Sequence, residues 1–519
     1  MSVAAAIERR TPRSASALVP AAVLAVAMTS LLVRLVPDVS GKPLYEDEAV
    51  AGLISARPLG DMLHTVVLDR GGAPLHFLLA HGVFAFDTSP TALRWLSLVF
   101  ALATVPLCFD LARRLAGSVA GITAGALAAT SQLLLVYGTF GRMYSLFAFT
   151  SALAVDFFVR AVLRPSRATA LAAAGAALLP VVAHPFGAFV FGAEVLAAAL
   201  MWRGRNVRAA APVIGVALLG VPLLLTNLRL SDRYGTEADA PGGHSAGAAA
   251  VRAVGGSAGG YSFLLAIFVA LAALGLLAVV KRNREIGLFF VLLIAAPPLL
   301  LAVSGAIGTT ADRLSPRHLI FMLPAWVVLV AVGAAWLAFR LPAPVRLAFP
   351  AVVVAAAAFA PSAVSDPRTN STGERAALAE PAAWIRATVS DGDVLYPFSP
   401  LFLAALPDAA AYPREPVSLA RAAERTGRVR RVLVSLPLAA PLSEPARSRL
   451  QRIDAHVSAS WLILRTRRPS ANGETALADA VRLLQRAAPA LGGAQSTLAY
   501  LEQLRGTACL ALQRLDSSC

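Results

Sequence analysis

Little in this chain is charged. Asp, Glu, Lys and Arg make up 15% of its 519 residues, against about 25% in an ordinary soluble domain. That deficit excludes a disordered chain and a typical water-soluble enzyme. Cysteine is nearly absent as well: Cys108, Cys509 and Cys519 are the full set. Three thiols so spaced cannot build a disulfide scaffold and match no metal-binding pattern. Acidic residues are outnumbered 30 to 46 by Lys and Arg, for a net charge of +16. No Walker loop, no GxGxxG, no solenoid period and no Ser/His/Asp arrangement is present. What the chain has in abundance is apolar residues, 57% of the total, with mean hydropathy +0.67. That composition belongs to a polytopic membrane protein. In such a protein the positive excess sits in cytoplasmic loops and against anionic lipid, so nucleic acid is not expected as a partner.

A crossing needs about 20 apolar residues with few charges. The stretches Leu18 to Val36, Leu93 to Leu115, Val119 to Tyr137, Tyr144 to Val162, Ala209 to Leu225, Tyr261 to Val280, Ile286 to Ser304, His318 to Phe339 and Val345 to Val364 qualify. Ala168 to Trp202, broken at His184-Pro185, is long enough for two tight spans. The count is about eleven. Ala73 to Phe86 is too short to cross, and it reads as an interfacial or re-entrant helix. The uncleaved first span, with the N-terminus cytoplasmic, then places 16 Lys/Arg inside and 9 in outside loops. Letting Ala73 to Phe86 cross would turn every later basic cluster outward. The expected plan is a short cytoplasmic tail (1–16), an all-α membrane domain (17–365) and an extracytoplasmic tail domain (366–519).

That tail holds 19 Arg and 14 acids and no run of membrane length. Short β-like runs (Asp393 to Tyr396, Arg431 to Leu436, Trp461 to Leu464) alternate with helix-like runs (Arg375 to Val389, Glu444 to Ile453, Thr475 to Ala487, Gln495 to Leu504), which predicts a small α/β domain. Outside the membrane Cys509 and Cys519 can pair or remain two thiols on a frayed end; the spacing is compatible with both.

The residues that point to chemistry fall in outside loops. Glu46-Asp47-Glu48 stand about ten residues beyond the first span. Carboxylates crowded at a membrane surface have one pKa raised, which suits a base that takes a proton from a hydroxyl. The alternative is an acidic helix start that complements the dipole. Asp69-Arg70-Gly71-Gly72-Ala73-Pro74-Leu75-His76-Phe77 leads into the short interfacial helix. Arg142, in Phe140-Gly141-Arg142-Met143-Tyr144, lies at the outer end of a span, and it is either a phosphate ligand or a snorkelling arginine. His184-Pro185 and Asp312-Arg313-Leu314-Ser315-Pro316-Arg317-His318 are the other polar junctions. His76 and His81, five apart, lack the i,i+4 spacing of a metal pair on a helix. Glu194 is the main acid in mid-span, and it is the feature a secondary transporter would share.

At these residues the sequence resembles the GT-C superfamily of membrane glycosyltransferases, and most of all glycosyltransferase family 39, the relatives of dolichyl-phosphate-mannose–protein mannosyltransferases. Asp47-Glu48 matches the family's Asp-Glu pair after the first span. Ala73-Pro74-Leu75-His76-Phe77 stands where the family has a Pro-Pro-Leu-Tyr-Tyr element, with His76-Phe77 in place of the two tyrosines. Arg142-Met143-Tyr144 matches an Arg-x-Tyr element, and Arg317-His318 with Pro324 matches the opening of a late span. The likeness runs from residue 17 to about 340. It implies a polyprenyl-phosphate-linked monosaccharide donor, of mannose or arabinose type, and transfer outside the cell membrane to a protein, lipid or polysaccharide, with inversion at the anomeric carbon. It implies Asp47 as catalytic carboxylate and Glu48 as its positioning or substrate-binding neighbour. Arg142, Tyr144, Arg317, His318, Arg70, His76 and His184 would then hold the lipid phosphate and substrate. No cofactor is expected; the resemblance leaves a divalent metal open, since some GT-C enzymes need one and protein mannosyltransferases do not, and the sequence offers no ligand set for it. The competing classes are a secondary transporter or lipid-linked-intermediate flippase, and a membrane scaffold whose tail binds a partner.

Overall fold

Apolar runs with helix-forming Ala and Leu, bounded by Pro, Gly and Arg, dictate a helical chain, and the computed structural model is mainly that. It describes residues 15–42, 45–69, 72–202, 222, 225, 245–261, 263–306, 314–368, 372–389, 393–397, 402, 417–418, 431–438 and 440–513. Along it run α1 (Ala15–Gly41), α2 (Glu46–Ser55), α3 (Leu59–His64), α4 (Leu75–Phe84), α5 (Pro90–Ala116), α6 (Ser118–Thr130), α7 (Gln132–Tyr137), α8 (Tyr144–Leu163), α9 (Arg167–Ala183) and α10 (Gly187–Trp202). There follow α11 (Ala246–Ser257), α12 (Phe263–Arg282), α13 (Arg284–Ala306), α14 (Leu323–Ala338), entered by a 3₁₀ turn over Pro316–Met322, and α15 (Ala343–Ala358). Six helices among the described residues are long and apolar enough to cross a membrane: Leu18–Gly41, Thr91–Ala116, Tyr144–Leu163, Phe263–Arg282, Arg284–Val303 and Pro316–Ala338. The chain is an integral membrane protein. Five apolar helices among the described residues are shorter, one of them Leu75–Phe84, the segment expected not to cross. The expected span from Ala209 to Leu225 lies almost wholly outside the described residues.

Contacts divide the chain into two units. One comprises Met1–Gly41, Ile54–Phe86 and Thr91–Asp366; the other comprises Lys42–Leu53, Asp87–Pro90 and Pro367–Cys519.

In the first unit, α12 and α14 cross at two glycines. A Cβ on Gly275 would overlap the Leu329 carbonyl, and one on Gly333 would overlap that of Leu271. Small residues at such a crossing let backbones approach and gain dispersion energy that lipid tails do not supply. In the same unit, Asp110 of α5 takes ion pairs from Arg113 (2.7 Å) and Arg160 (3.0 Å), and Arg160 of α8 also pairs with the fully buried Asp156 at 2.5 Å. These charges tie α5 to α8. The run expected as one span from Val119 to Tyr137 is two helices. Ser131 leaves the helical conformation (φ −59°, ψ 126°), and its hydroxyl donates to the Gly256 carbonyl at 3.0 Å instead of its own helix.

In the second unit the tail forms β1 (Val394–Tyr396), β2 (Val417–Ser418), β3 (Val432–Pro437), β4 (Ala455–Val457) and β5 (Trp461–Arg465), with helices α16 (Thr372–Thr388), α17 (Glu444–Gln451), α18 (Gly473–Ala487) and α19 (Gln495–Gln513). Strand order is β2-β1-β3-β5-β4. β1 runs parallel to β2 and β3, while β5 is antiparallel to both β3 and β4. Alternation decides the layers. Val432, Val434, Leu436, Leu462 and Leu464 face the Ala480 and Leu484 side of α18 and Leu501 of α19. Leu433 and Ile463 face Leu378 and Ile385 of α16. The sheet is thus covered on both faces. Cys509 is disulfide-bonded and Cys108 is a buried free thiol; Cys519 lies outside the described residues.

Candidate active site

The acidic triplet opens α2. Glu48 is the third residue of that helix, and its carboxylate accepts the backbone N–H of Tyr45 at 3.0 Å. This is the back-reaching half of a capping box, which satisfies a donor that the helix start would otherwise leave unpaired. Glu48 is buried, at 1% exposure, while Asp47, one residue earlier, is half-buried. Asp47 and Glu48 belong to the unit that contains the tail. The triplet is thus a helix N-terminus, as the second reading expected, with Asp47 less enclosed than Glu48.

In the membrane unit, three separate turns converge. After α7 the chain turns tightly at Gly138, where a Cβ would overlap the Leu134 carbonyl. The Arg142 N–H then donates back to the Phe140 carbonyl at 2.6 Å. The rings of Tyr137, Phe140 and Tyr144 pack together with centroids 5.3 to 5.9 Å apart. Tyr144 starts α8, and Phe147 follows one turn later.

The second turn joins α9 to α10. Pro185 ends the helix because the residue before proline is pushed to extended backbone, and His184 has φ −155° and ψ 141°. Its carbonyl accepts from Gly187 N at 2.8 Å, and its Nδ1 accepts from Phe186 N at 3.1 Å. Nδ1 is thereby an acceptor, which puts the proton of a neutral ring on Nε2. Gly187 is required: a Cβ there would strike the Pro180 carbonyl. The His184 ring stacks on Phe147 at 4.6 Å with 9° between planes.

The third is the 3₁₀ entry to α14, with Pro316 at its first position and the His318 N–H donating to Ser315 O at 3.0 Å. It sets the Arg317 guanidinium 5.4 Å above the Tyr144 ring. It also brings the His318 ring to 6.0 Å from His184, 6.3 Å from Tyr144 and 5.6 Å from Phe186. Below them Phe321 meets Phe147 and Phe189.

His76, at the start of α4, is buried close to the 140–144 turn. Burial and then the Arg142 charge push its imidazole down to about 3, against a smaller opposite pull from the Gly141 backbone. His184 is held well below the usual histidine range by burial, then by His318, Arg142 and Arg317. Neutral imidazoles between two guanidiniums leave the positive charge of the cluster on arginine.

The structure thus brings together His76, Arg142, Tyr144, His184, Arg317 and His318. Arg70, with Arg313, lies outside the described residues. The aromatic wall of Tyr137, Phe140, Phe147, Phe186 and Phe321 was not anticipated, although rings at 137, 140, 144 and 147 carry a helical 3-4-3 spacing that could have disclosed it. Glu194 of α10 is fully buried, and neither carboxylate oxygen has a hydrogen-bond partner among the described residues. Among the described residues no group of three or more His, Cys, Asp or Glu is placed to hold a metal ion. Two guanidiniums beside aromatic walls suit an oxyanion with an apolar continuation, since arginine pairs bidentately with phosphate oxygens.

The sequence matches no known family profile and no curated protein. Its fold, however, is similar to that of solved structures. It superposes on ArnT from Cupriavidus metallidurans in the apo state with TM-score 0.56 and 13% identity, over 87% of this chain and 98% of that one. For ArnT bound to undecaprenyl phosphate the values are 0.55, 14%, 86% and 97%. The Archaeoglobus fulgidus oligosaccharyltransferase gives a looser likeness, TM-score 0.47 at 11% identity, over 77% of this chain and 61% of that one.

Proposed function

We propose that this protein transfers a monosaccharide, of mannose or arabinose type, from a polyprenyl-phosphate-linked donor to an acceptor on the extracytoplasmic face of the cell membrane. The observation that carries this reading is the Arg317 guanidinium over the Tyr144 ring, with Arg142 and Arg317 both close enough to act on His184, in a fold shared with a protein crystallised with undecaprenyl phosphate. In this reading the N-terminus is cytoplasmic, about eleven spans cross, and the tail from residue 366 lies outside.

The chemistry follows from the groups available. The acceptor hydroxyl oxygen attacks the anomeric carbon while its proton passes to Asp47. The bond from that carbon to the phosphate oxygen breaks, and the electron pair leaves with polyprenyl phosphate. A single displacement inverts the centre. Arg142 and Arg317 bind the phosphate and stabilise the charge that grows on it, a contribution worth most in a site shielded from water. Glu48 holds the first turn of α2 through Tyr45. His76, His184 and His318, with Tyr144, line the donor site, and the resemblance adds Arg70 to the substrate-binding residues.

The experiment is reconstitution in proteoliposomes with radiolabelled polyprenyl-phosphate-mannose or -arabinose and candidate acceptors. Release of polyprenyl phosphate with label on the acceptor is the expected result. Folded protein that moves no label over the full donor and acceptor panel overturns the reading. A transporter or flippase is favoured by one observation, the enclosed carboxylate of Glu194. Solute uptake, or lipid-linked sugar that changes leaflet with its glycosidic bond intact, would establish that class instead.

A further inference from the structure

Hydroxyls buried in helices of this membrane unit mostly bond backward to their own helix. Thr104 donates to Phe100 O, Thr123 to Val119 O, Ser151 to Phe147 O and Ser257 to Ala253 O, each four residues back. This is the local solution that helical Ser and Thr ordinarily take. Ser97 of α5 departs from it. At 2% exposure, it sends its Oγ 43 positions along the chain to the Phe140 carbonyl, at 2.7 Å, with the Arg142 carbonyl at 3.4 Å. The Phe140 oxygen already accepts the Arg142 N–H at 2.6 Å. Its two lone pairs are therefore used by the residue it turns towards and by a helix that holds it from outside. One helical turn earlier on α5, the buried Arg94 donates from Nη1 to the Val39 carbonyl at 3.1 Å, in the last turn of α1. Residues i and i+3 share a helix face, so one face of α5 grips two turns of chain.

We propose that Ser97 is a positioning residue for Arg142: its hydroxyl fixes the Phe140–Arg142 turn so that the guanidinium is presented to the donor phosphate in one orientation. The proposal rests on the reading of Arg142 as a phosphate ligand. Ser97 touches no substrate; it acts through the carbonyl of a three-residue turn. A turn this short draws part of its rigidity from the groups that hold it from outside, and loss of a buried donor leaves a carbonyl underfilled.

Two measurements separate this proposal from the function it serves. Hydrogen exchange at the 140–144 amides, in detergent and without ligand, reports the turn itself. It should rise in Ser97→Ala and stay near wild type in Ser97→Thr, which keeps the hydroxyl. Titration with undecaprenyl phosphate reports the consequence. Ser97→Ala should weaken binding roughly three- to tenfold, with a matching rise in KM for a lipid-linked donor and a smaller change in kcat. The double variant Ser97→Ala/Arg142→Ala should bind no worse than Arg142→Ala alone, because a residue that acts through another has nothing left to position. Unchanged exchange in Ser97→Ala, or losses that add in the double variant, overturns the proposal. Should wild type itself fail to bind undecaprenyl phosphate while exchange responds as described, the turn is pinned by Ser97 and the donor assignment is what fails. Ser97→Cys, with a weaker donor of similar size, serves in place of the alanine variant if that one does not fold.

Discussion

The guanidinium of Arg317 stands 5.4 Å over the ring of Tyr144, although 173 positions separate them in the chain. The pair joins the entry of α14 to the start of α8, and it puts a fixed positive charge beside a buried aromatic face. Cation–π attraction in a desolvated place is worth about 2 kcal/mol. Tyr144→Phe keeps the face and should leave donor affinity within about threefold, whereas Tyr144→Leu should weaken it by roughly tenfold. Titration with undecaprenyl phosphate checks both. Equal losses in the two variants would show that the hydroxyl, and not the ring, is what matters.

The neighbouring carboxylates Asp47 and Glu48 should separate cleanly. Asp47→Asn removes the proposed base and should lower turnover on the order of 10²- to 10⁴-fold. Glu48→Gln still offers an oxygen to the Tyr45 N–H, so it should keep most of the stability, while Glu48→Ala costs about 1–2 kcal/mol through the lost cap. Donor turnover and thermal unfolding, measured on the same preparations, distinguish the two. Full activity in Asp47→Asn would remove it as the base.

His76 makes acid stability testable. An unfolded histidine takes its proton near pH 6.5, whereas buried His76 resists it to about 3. A depressed pKa contributes stability that is complete above the unfolded value and is lost as pH falls towards the folded one. The loss can reach about 1.4 kcal/mol per pH unit from one group. His184 has the same sign. Thermal midpoints in detergent should therefore drop between pH 6.5 and 4.5 more steeply in wild type than in His76→Gln. Parallel slopes would mean that His76 is already protonated when folded.

The crossing of α12 and α14 admits no side chain at its two glycines. Gly333→Val or Gly275→Val drives a methyl into a facing backbone carbonyl, and no rotamer change relieves that. Overpacking of this kind costs about 3 kcal/mol or more. The expected readout is a lowered midpoint and poor recovery after solubilisation. Gly192 on α10 has nothing within 4 Å of an added Cβ, and Gly192→Ala should be silent in the same assay.

The parts of this protein visible in its sequence are those set by local composition. Uninterrupted apolar runs fix the membrane helices, because a backbone in lipid must satisfy its own hydrogen bonds. The dearth of charge marks the class before any motif is found. The β-rich and helix-rich runs after residue 366 coincide with β1, β3, β5 and four helices, since alternation and 3.6-residue spacing are local too. The strands β2 and β4, two and three residues long, left no such trace.

Tertiary structure decided what spacing could not. Arg142, His184 and His318 share a cluster because three turns between helices end at one place, and no local rule gives the azimuth at which packed helices present their ends. The break at Ser131 depends on a carbonyl 125 positions away, and the Ser97 hydroxyl on one 43 away. A hydrogen bond of that range exists only once the helices have packed. Until then a serine in a helix carries no mark that tells a turn-holding hydroxyl from one bonded to its own backbone.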